Sequence, residues 1–419
     1  MTSTAQPRIL AVLPGFIPST MITVVKPLLN LHRARGIVAR IVLESQAGRD
    51  DIDWADAIVF CRNTEPRHAP LLAAARCRGI PLVYDLDDNL FELPPSCEGL
   101  SGMRDASRQA MLEEYLRTAA VVRVYSQPLA ERVAALNPRV VQTFAPVDLS
   151  LMPPERAARP PGPVKIVYAT SRTQDALCEI FLPALARLLG RYAGRVEAHF
   201  WGCRPPQIAA LPNVRHHGLI CQYDRFLRRF SRAGYDIGLA PLPDDVFYRS
   251  KTNNKFREYG ASGIAGIYSR NDVYSHCVEH EVSGLLVANE ADRWHDAIER
   301  LIEDEALRTR IQQQARQYVR EHYAQEKFEQ LFLEQLHEVL GTPARPPLAN
   351  VASSIPATAA SALPGFFRRL SDQGRRSLRT LRRLGPRQAW TALRWFVNDR
   401  FLAAWLRWQL WQPRARSQR

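Results

Sequence analysis

The stretch FYRSKTNNKFREYGASGIAGIYSRNDVYSHCVEHEVSGLLV, residues 247–287, decides how this chain is read. A helical segment carrying one acidic residue, Glu258, runs into a glycine-bearing turn at Ala261, Ser262 and Gly263. A short apolar strand follows over residues 264–268, and then a turn and strand over 283–287. A helix and a strand joined in this way are the unit of a parallel sheet. A carboxylate on such a helix, at the carboxyl edge of the sheet, is well placed to accept both hydroxyls of a ribose.

Working outward, the same alternation fills most of the 419 residues. Strands are expected at residues 8–13, 39–43, 57–60, 82–85, 121–125 and 140–144, with helices at 20–34, 69–77, 106–118 and 128–136 between them. This predicts a Rossmann-like first domain over residues 1–151. MPPERAARPPGP (152–163) is dense in proline, which can continue neither a helix nor a central strand, so it reads as an interdomain linker. The alternation restarts with strands at 165–169, 196–201, 237–240, 265–268 and 285–287, predicting a second domain over 164–341 that closes with amphipathic helices from residue 290 to 340. Residues 342–362, rich in Pro, Ala and Ser, read as a disordered tether. The expected class is α/β, two facing Rossmann-like domains with a basic amphipathic helical tail over 363–419.

Charge and cysteine usage bound the possibilities. The net charge is +14, but the tail alone holds 14 Arg, no Lys and two acidic residues, leaving the body close to neutral. Seven cysteines with no C-x-x-C pair predict reduced thiols and a cytoplasmic setting. No secretory signal is expected at residues 1–7, and no stretch approaches the length of a membrane-spanning helix. Walker-type and G-x-G-x-x-G loops are lacking from the sequence, which argues against an ATPase or a dehydrogenase. HCVEH (276–280) spells H-x-x-E-H, a metalloprotease pattern, but it needs a sustained helix, and Ser283 and Gly284 announce a turn.

Glu258, the ASG turn, the strand after it and SGLLV, in that order, resemble the nucleotide-sugar site of GT-B glycosyltransferases of the broad family-four type. The resemblance implies transfer of a sugar from a nucleotide-sugar donor, metal-independent and retaining, without a resident cofactor. It also implies that the PGFIPST loop (14–20) faces the cleft. There Gly15 permits close backbone approach, and Ser19 or Thr20 can cap a helix whose free N–H groups attract phosphate.

YDLDDNLFELP (84–94) sets Asp85, Asp87 and Asp88 just past a buried strand. Three carboxylates so close are expected to repel one another, raising proton affinity and suiting general-base or acceptor-hydroxyl work. The D-x-D within this run binds a divalent metal in a different glycosyltransferase fold, a role the two-domain layout disfavours. Where many relatives carry histidine, this chain has Tyr84. By resemblance, Arg172 after the first strand of the second domain is a candidate for the donor diphosphate, as are Ser250, Lys251, Asn254 and Lys255. Ser250 stands where relatives often carry the first of two glutamates, and Lys251, Thr252, Asn253 and Asn254 replace the expected glycine loop. Lysines are point charges suited to phosphate. The missing glutamate leaves the sugar and the stereochemical outcome open.

Five of the eight tryptophans, Trp390, Trp395, Trp405, Trp408 and Trp411, lie in the last 30 residues. With Leu393, Val397 and Phe401 they recur at spacings of three and four beside Arg394, Arg400 and Arg407, the composition of an interfacial helix on anionic lipid. The alternatives are a helical hairpin docked on the body or on another subunit, and a basic arm for nucleic acid, which the neutral body disfavours. The expected function is a glycosyltransferase, peripheral on the cytoplasmic face of the membrane, acting on a lipid-linked or envelope polysaccharide acceptor. The alternative is a non-catalytic nucleotide-sugar-binding or scaffolding subunit of an envelope assembly complex.

Overall fold

In the computed structural model, residues 6–95, 97–153, 162–171, 176–341, 397–406 and 409–410 are described. Arg172, linker residues 154–161, the tether and the tail up to residue 396 lie outside them.

Six strands, β1 (Arg8–Leu13), β2 (Val38–Leu43), β3 (Ala57–Cys61), β4 (Leu82–Leu86), β5 (Val121–Val124) and β6 (Val140–Gln142), form one parallel sheet in the order β2-β1-β3-β4-β5-β6. Six more, β7 (Val164–Ala169), β8 (Val196–Trp201), β9 (Val214–His217), β10 (Ile237–Ala240), β11 (Ala265–Ser269) and β12 (Leu285–Val287), form a second in the order β12-β11-β10-β7-β8-β9. Both are covered on two faces, which is why their strands read as continuous apolar runs. Along β1, Ile9, Ala11 and Leu13 enter one core while Leu10 and Val12 enter the other, the period-two signature of a strand. The sequence missed β9, whose VRHH carries no apolar run and is partly exposed at the sheet edge.

Each strand order reverses at one point, between β1 and β3 in the first sheet and between β7 and β10 in the second. The crevice outside the carboxyl ends at such points is where ligands bind in open α/β sheets. In the first sheet the flanking loops begin at Pro14 and Arg62; in the second the loop after β10 leads to Ser250 and Lys251.

The closing helices Ala291–Glu303 and Glu305–His322 pack on the second domain, whereas Gln325–Gly341 crosses back. Its Phe328, Phe332, Leu336 and Val339 are fully buried in the first domain's core. The helix 397–406 joins that same core through Leu402, Ala403 and Leu406. Burying a leucine stabilises by about 1.5–3 kcal/mol, so this stretch is part of the body. Of the apolar face expected of the tail, Trp405 packs partly buried against this core. Leu402, Ala403 and Leu406 face inward, while Val397 and Phe401 stay outside at 58% and 61% exposure.

Candidate functional site

Glu258 rides on the helix Asn254–Ser262, which ends on Gly263 in the left-handed conformation (φ 68°), a turn that glycine adopts without steric cost. The carboxylate is buried, 6% exposed, and both oxygens are engaged. Lys255 Nζ donates to Oε2 at 2.7 Å and the Tyr223 hydroxyl donates to Oε1 at 3.3 Å. Burial and the adjacent Glu258 raise the Tyr223 phenol well above its ordinary range, so it stays a donor at neutral pH. Asn254 Oδ1 is engaged, accepting from Thr252 Oγ1 at 2.8 Å and from the buried Arg257 guanidinium. Arg257 also donates to the carbonyl of Pro146 at 2.7 Å, tying this helix to the chain that leaves the first domain.

The Ser250–Lys251 turn closes against the first domain. Ser250 is fully buried, its carbonyl accepting from Ser126 Oγ at 2.8 Å and its Oγ from Asn89 Nδ2 at 3.3 Å. Lys251 Nζ lies 2.6 Å from Asp88 Oδ1 and 4.1 Å from the centre of the Phe247 ring. Arg62, in the left-handed region at φ 58°, reaches Asp87 Oδ1 at 2.5 Å and Asp88 Oδ2 at 2.9 Å. The mutual repulsion expected of the three aspartates is thereby overturned at Asp88. Burial opposes its charge, but Lys251 and Arg62 hold its carboxyl well below the usual carboxylate range.

Asp85 lies beneath this cluster with no exposed surface. It accepts from the Tyr125 hydroxyl at 2.6 Å and Thr23 Oγ1 at 3.3 Å, and the Arg123 guanidinium lies 3.5 Å away. Arg123 itself stacks on Phe332, 3.9 Å from the ring centre. Burial raises the Asp85 carboxyl despite these partners. Its location suits it to positioning the wall rather than to meeting an acceptor. The structure therefore brings Asp88 to Lys251, joins Asp87 to it through Arg62, and sets Asp85 apart. Glu44, just past β2, is pushed up to about 7 by burial, with Asn63 Nδ2 donating to it at 2.7 Å. Sequence reasoning passed over Arg62, Glu44 and Tyr223. Arg62 was findable as the first residue past a strand beside the reversal point; Tyr223 carried no local signal.

Thr20 does not cap its helix through a free hydroxyl, because Oγ1 donates back to the carbonyl of Gly15 at 2.8 Å. Ser19 is partly buried, and its carbonyl accepts from Thr23 Oγ1 at 3.0 Å. A π-helical turn over Met21–Val25 follows, and Thr23 on it also reaches Asp85. The close backbone approach expected at Gly15 is real, but the group approaching is the chain's own Asp399. Its Oδ1 accepts from the Phe16 amide at 2.9 Å, and a Cβ on Gly15 would stand 3.1 Å from Oδ2.

Burial pushes Asp399 up to about 6, above the ordinary carboxyl value of 3.8. A folded value above the unfolded one means a contribution fully present below about pH 4 and lost as pH rises through about 6. Asp399→Asn is therefore expected to raise the thermal midpoint above pH 6, with the gap to wild type closing toward pH 4. A gap independent of pH would contradict this.

Within the H-x-x-E-H run, the helix Asp272–Ser275 stops before His276, and His280 pairs with Gly284 in an isolated bridge. The two histidines therefore do not share a helix face.

This is the architecture of GT-B proteins: two facing parallel sheets, a carboxylate-bearing helix in the second domain and a crossing-back helix. Residues 172–332 match the family described as glycosyl transferase-like. Among solved structures, HepE of Anabaena in complex with UDP and glucose is similar at 15% identity and TM-score 0.58, over 79% of this chain and 99% of that one. Sucrose-phosphate synthase from Thermosynechococcus elongatus is similar at 15% identity and TM-score 0.59, over 80% and 99%. A glycosyltransferase from Rickettsia africae is similar at 13% identity and TM-score 0.58, over 81% and 100%. At these identities the likeness establishes the fold. No curated protein matches the sequence. The chain has the GT-B glycosyltransferase fold, and its second domain is glycosyl transferase-like.

Proposed function

We propose that this chain is a glycosyltransferase that moves a sugar from a nucleotide-sugar donor to a lipid-linked or envelope polysaccharide acceptor at the cytoplasmic face of the membrane. The observation that carries it is the Glu258 carboxylate, buried between Lys255 and Tyr223 on a helix at the cleft, with Lys251 one turn before that helix. Glu258 would accept the ribose hydroxyls, and Lys251 and Lys255 would face the diphosphate. The acceptor hydroxyl attacks the anomeric carbon from the face the diphosphate leaves, the bond to the diphosphate oxygen breaks, negative charge builds on the departing diphosphate, and its oxygen takes the hydroxyl proton. Cations already in place stabilise that charge without reorganising. Lys251 has three N–H donors, so it can keep Asp88 and receive a phosphate oxygen. These lysines supply the positive charge a divalent ion would, so transfer without a resident metal is part of the proposal, and so is retention at the anomeric carbon.

HepE is seen with UDP-glucose, which makes UDP-sugars the first donors to try. A thermal-shift series on the full chain against nucleoside diphosphates and UDP-, GDP- and ADP-sugars is expected to give an upward shift with one nucleotide class. No shift with any of them would remove the donor assignment. A second reading, a binding or scaffolding subunit, is favoured by one observation: Ser250, in place of a glutamate, is fully buried and offers the cleft no carboxylate. A subunit of that kind would protect its nucleotide sugar without releasing nucleoside diphosphate when acceptor is added. Among the described residues no helix is long and apolar enough to cross a membrane. Attachment is proposed through the arginine- and tryptophan-rich residues 363–419.

A further inference from the structure

The outward face of the helix 397–406 borders a cavity of about 700 Å³. Across it lie the turn 218–222 and the helix Tyr223–Ser231. Two observations mark it as a binding site.

Val397 and Phe401 line it, and they are the two most exposed large apolar side chains among the described residues. They stand one helical turn apart and, with Leu219 and Ile220 opposite, make an apolar trough. A helix held in place by Leu402, Ala403 and Leu406 gains nothing for its own docking from an uncovered phenylalanine four residues away.

Arg225 and Arg229 line the same cavity at i, i+4 spacing on one helix face. Neither pairs with a carboxylate among the described residues. Arg229 stacks on Trp201 at 5.9 Å, which steadies it while leaving its N–H groups free to donate. Two unneutralised guanidinium groups beside an apolar trough are complementary to a phosphate that carries an apolar chain.

We propose that this cavity is the acceptor site and takes a phosphate-bearing amphiphile, its chain along Val397 and Phe401 and its phosphate between Arg225 and Arg229. The assignment of this ligand as acceptor rests on the glycosyltransferase reading; the binding itself does not. Gln222 at the cavity precedes Tyr223, whose hydroxyl touches Glu258, so the cavity adjoins the helix that contacts the proposed donor carboxylate. The C-terminal helix thus does two jobs: its inner face completes the first domain and its outer face builds half of a lipid site.

The test uses the full chain and dodecyl phosphate below its micelle-forming concentration, with inorganic phosphate and dodecanol as the other arms, measured by titration calorimetry. Saturable binding of one dodecyl phosphate per chain is expected, at least about tenfold tighter than either other arm. The Arg225→Ala/Arg229→Ala pair should weaken it by about tenfold and flatten its salt dependence. Phe401→Ser should weaken dodecyl phosphate but not inorganic phosphate. All three side chains are exposed, so the variants should keep the wild-type melting temperature. Equal binding of phosphate and dodecyl phosphate, or affinity untouched in both variants, overturns the proposal. The nucleotide-sugar shift, run on the same variants, should be unchanged. Loss of donor binding in the wild-type chain would sink the transferase reading, while lack of dodecyl phosphate binding with donor binding intact would sink this one alone.

Discussion

Glu258→Ala is expected to weaken nucleotide-sugar binding by about 100-fold while leaving the protein folded. The size follows from the contact proposed: hydrogen bonds to a charged group are worth about 1.5–3 kcal/mol each, and two ribose hydroxyls on one buried carboxylate exceed the roughly 3 kcal/mol that a 100-fold change requires. The stability cost should be small. Lys255 is 25% exposed and finds water when its partner goes, and Tyr223 loses one hydrogen bond of 3.3 Å. Glu258→Gln keeps an acceptor oxygen and should fall between the two. Calorimetry with the nucleotide class found by thermal shift measures this, and wild-type affinity in the alanine variant would remove the central residue of the assignment.

The helix, cap and strand that carry the second domain's candidate site were readable from the chain because they are local. Glu258, Lys255 and the Gly263 turn lie within nine residues of one another, and their roles depend on one helix and its cap. The strands were equally legible, since a sheet buried on both faces writes itself as apolar runs; the half-exposed β9 was lost for the converse reason. What could not be read is what the fold brings together from afar. Lys251 meets Asp88 across 163 positions, which turns a carboxyl expected to hold its proton into one that gives it up readily. Gly15 was rightly marked as a point of close approach. Nothing local said that the approaching group would be Asp399, 383 positions on. The tail's apolar residues likewise fit one stripe by spacing alone, and only the packing of Leu402 and Leu406 on the first domain separates them from Val397 and Phe401.

These long-range pairs bear on how the cleft works. Asp88 is held by Arg62 from its own domain and by Lys251 from the other, so the domains meet through a carboxylate between two cations. A diphosphate reaching Lys251 enters a site already balanced by Asp88. Under the proposed donor assignment, donor binding competes with, or adds to, the Lys251–Asp88 contact between the domains, and the two are coupled through one ammonium group.

Arg62→Ala is the substitution that exposes this balance. Arg62 is 8% exposed and serves two buried carboxylates, of which Asp87 has no other cation within the ion pairs of the described residues. Removing one member of a buried pair costs about 3–5 kcal/mol, because the remaining charge stays desolvated without a partner. With about 2–4 °C lost per kcal/mol for a domain of this size, the melting temperature should fall by roughly 10 °C. The pH dependence fixes the cause. Lys251 and Arg62 depress the folded value of Asp88, so the stability it contributes is present above about pH 4 and is lost as pH falls below that value. The gap between wild type and Arg62→Ala should accordingly narrow on acidification, and Asp87→Asn in the same chain should recover most of the loss at neutral pH. A melting temperature within about 2 °C of wild type, or a deficit that Asp87→Asn leaves unchanged, would show that the two carboxylates do not depend on this arginine.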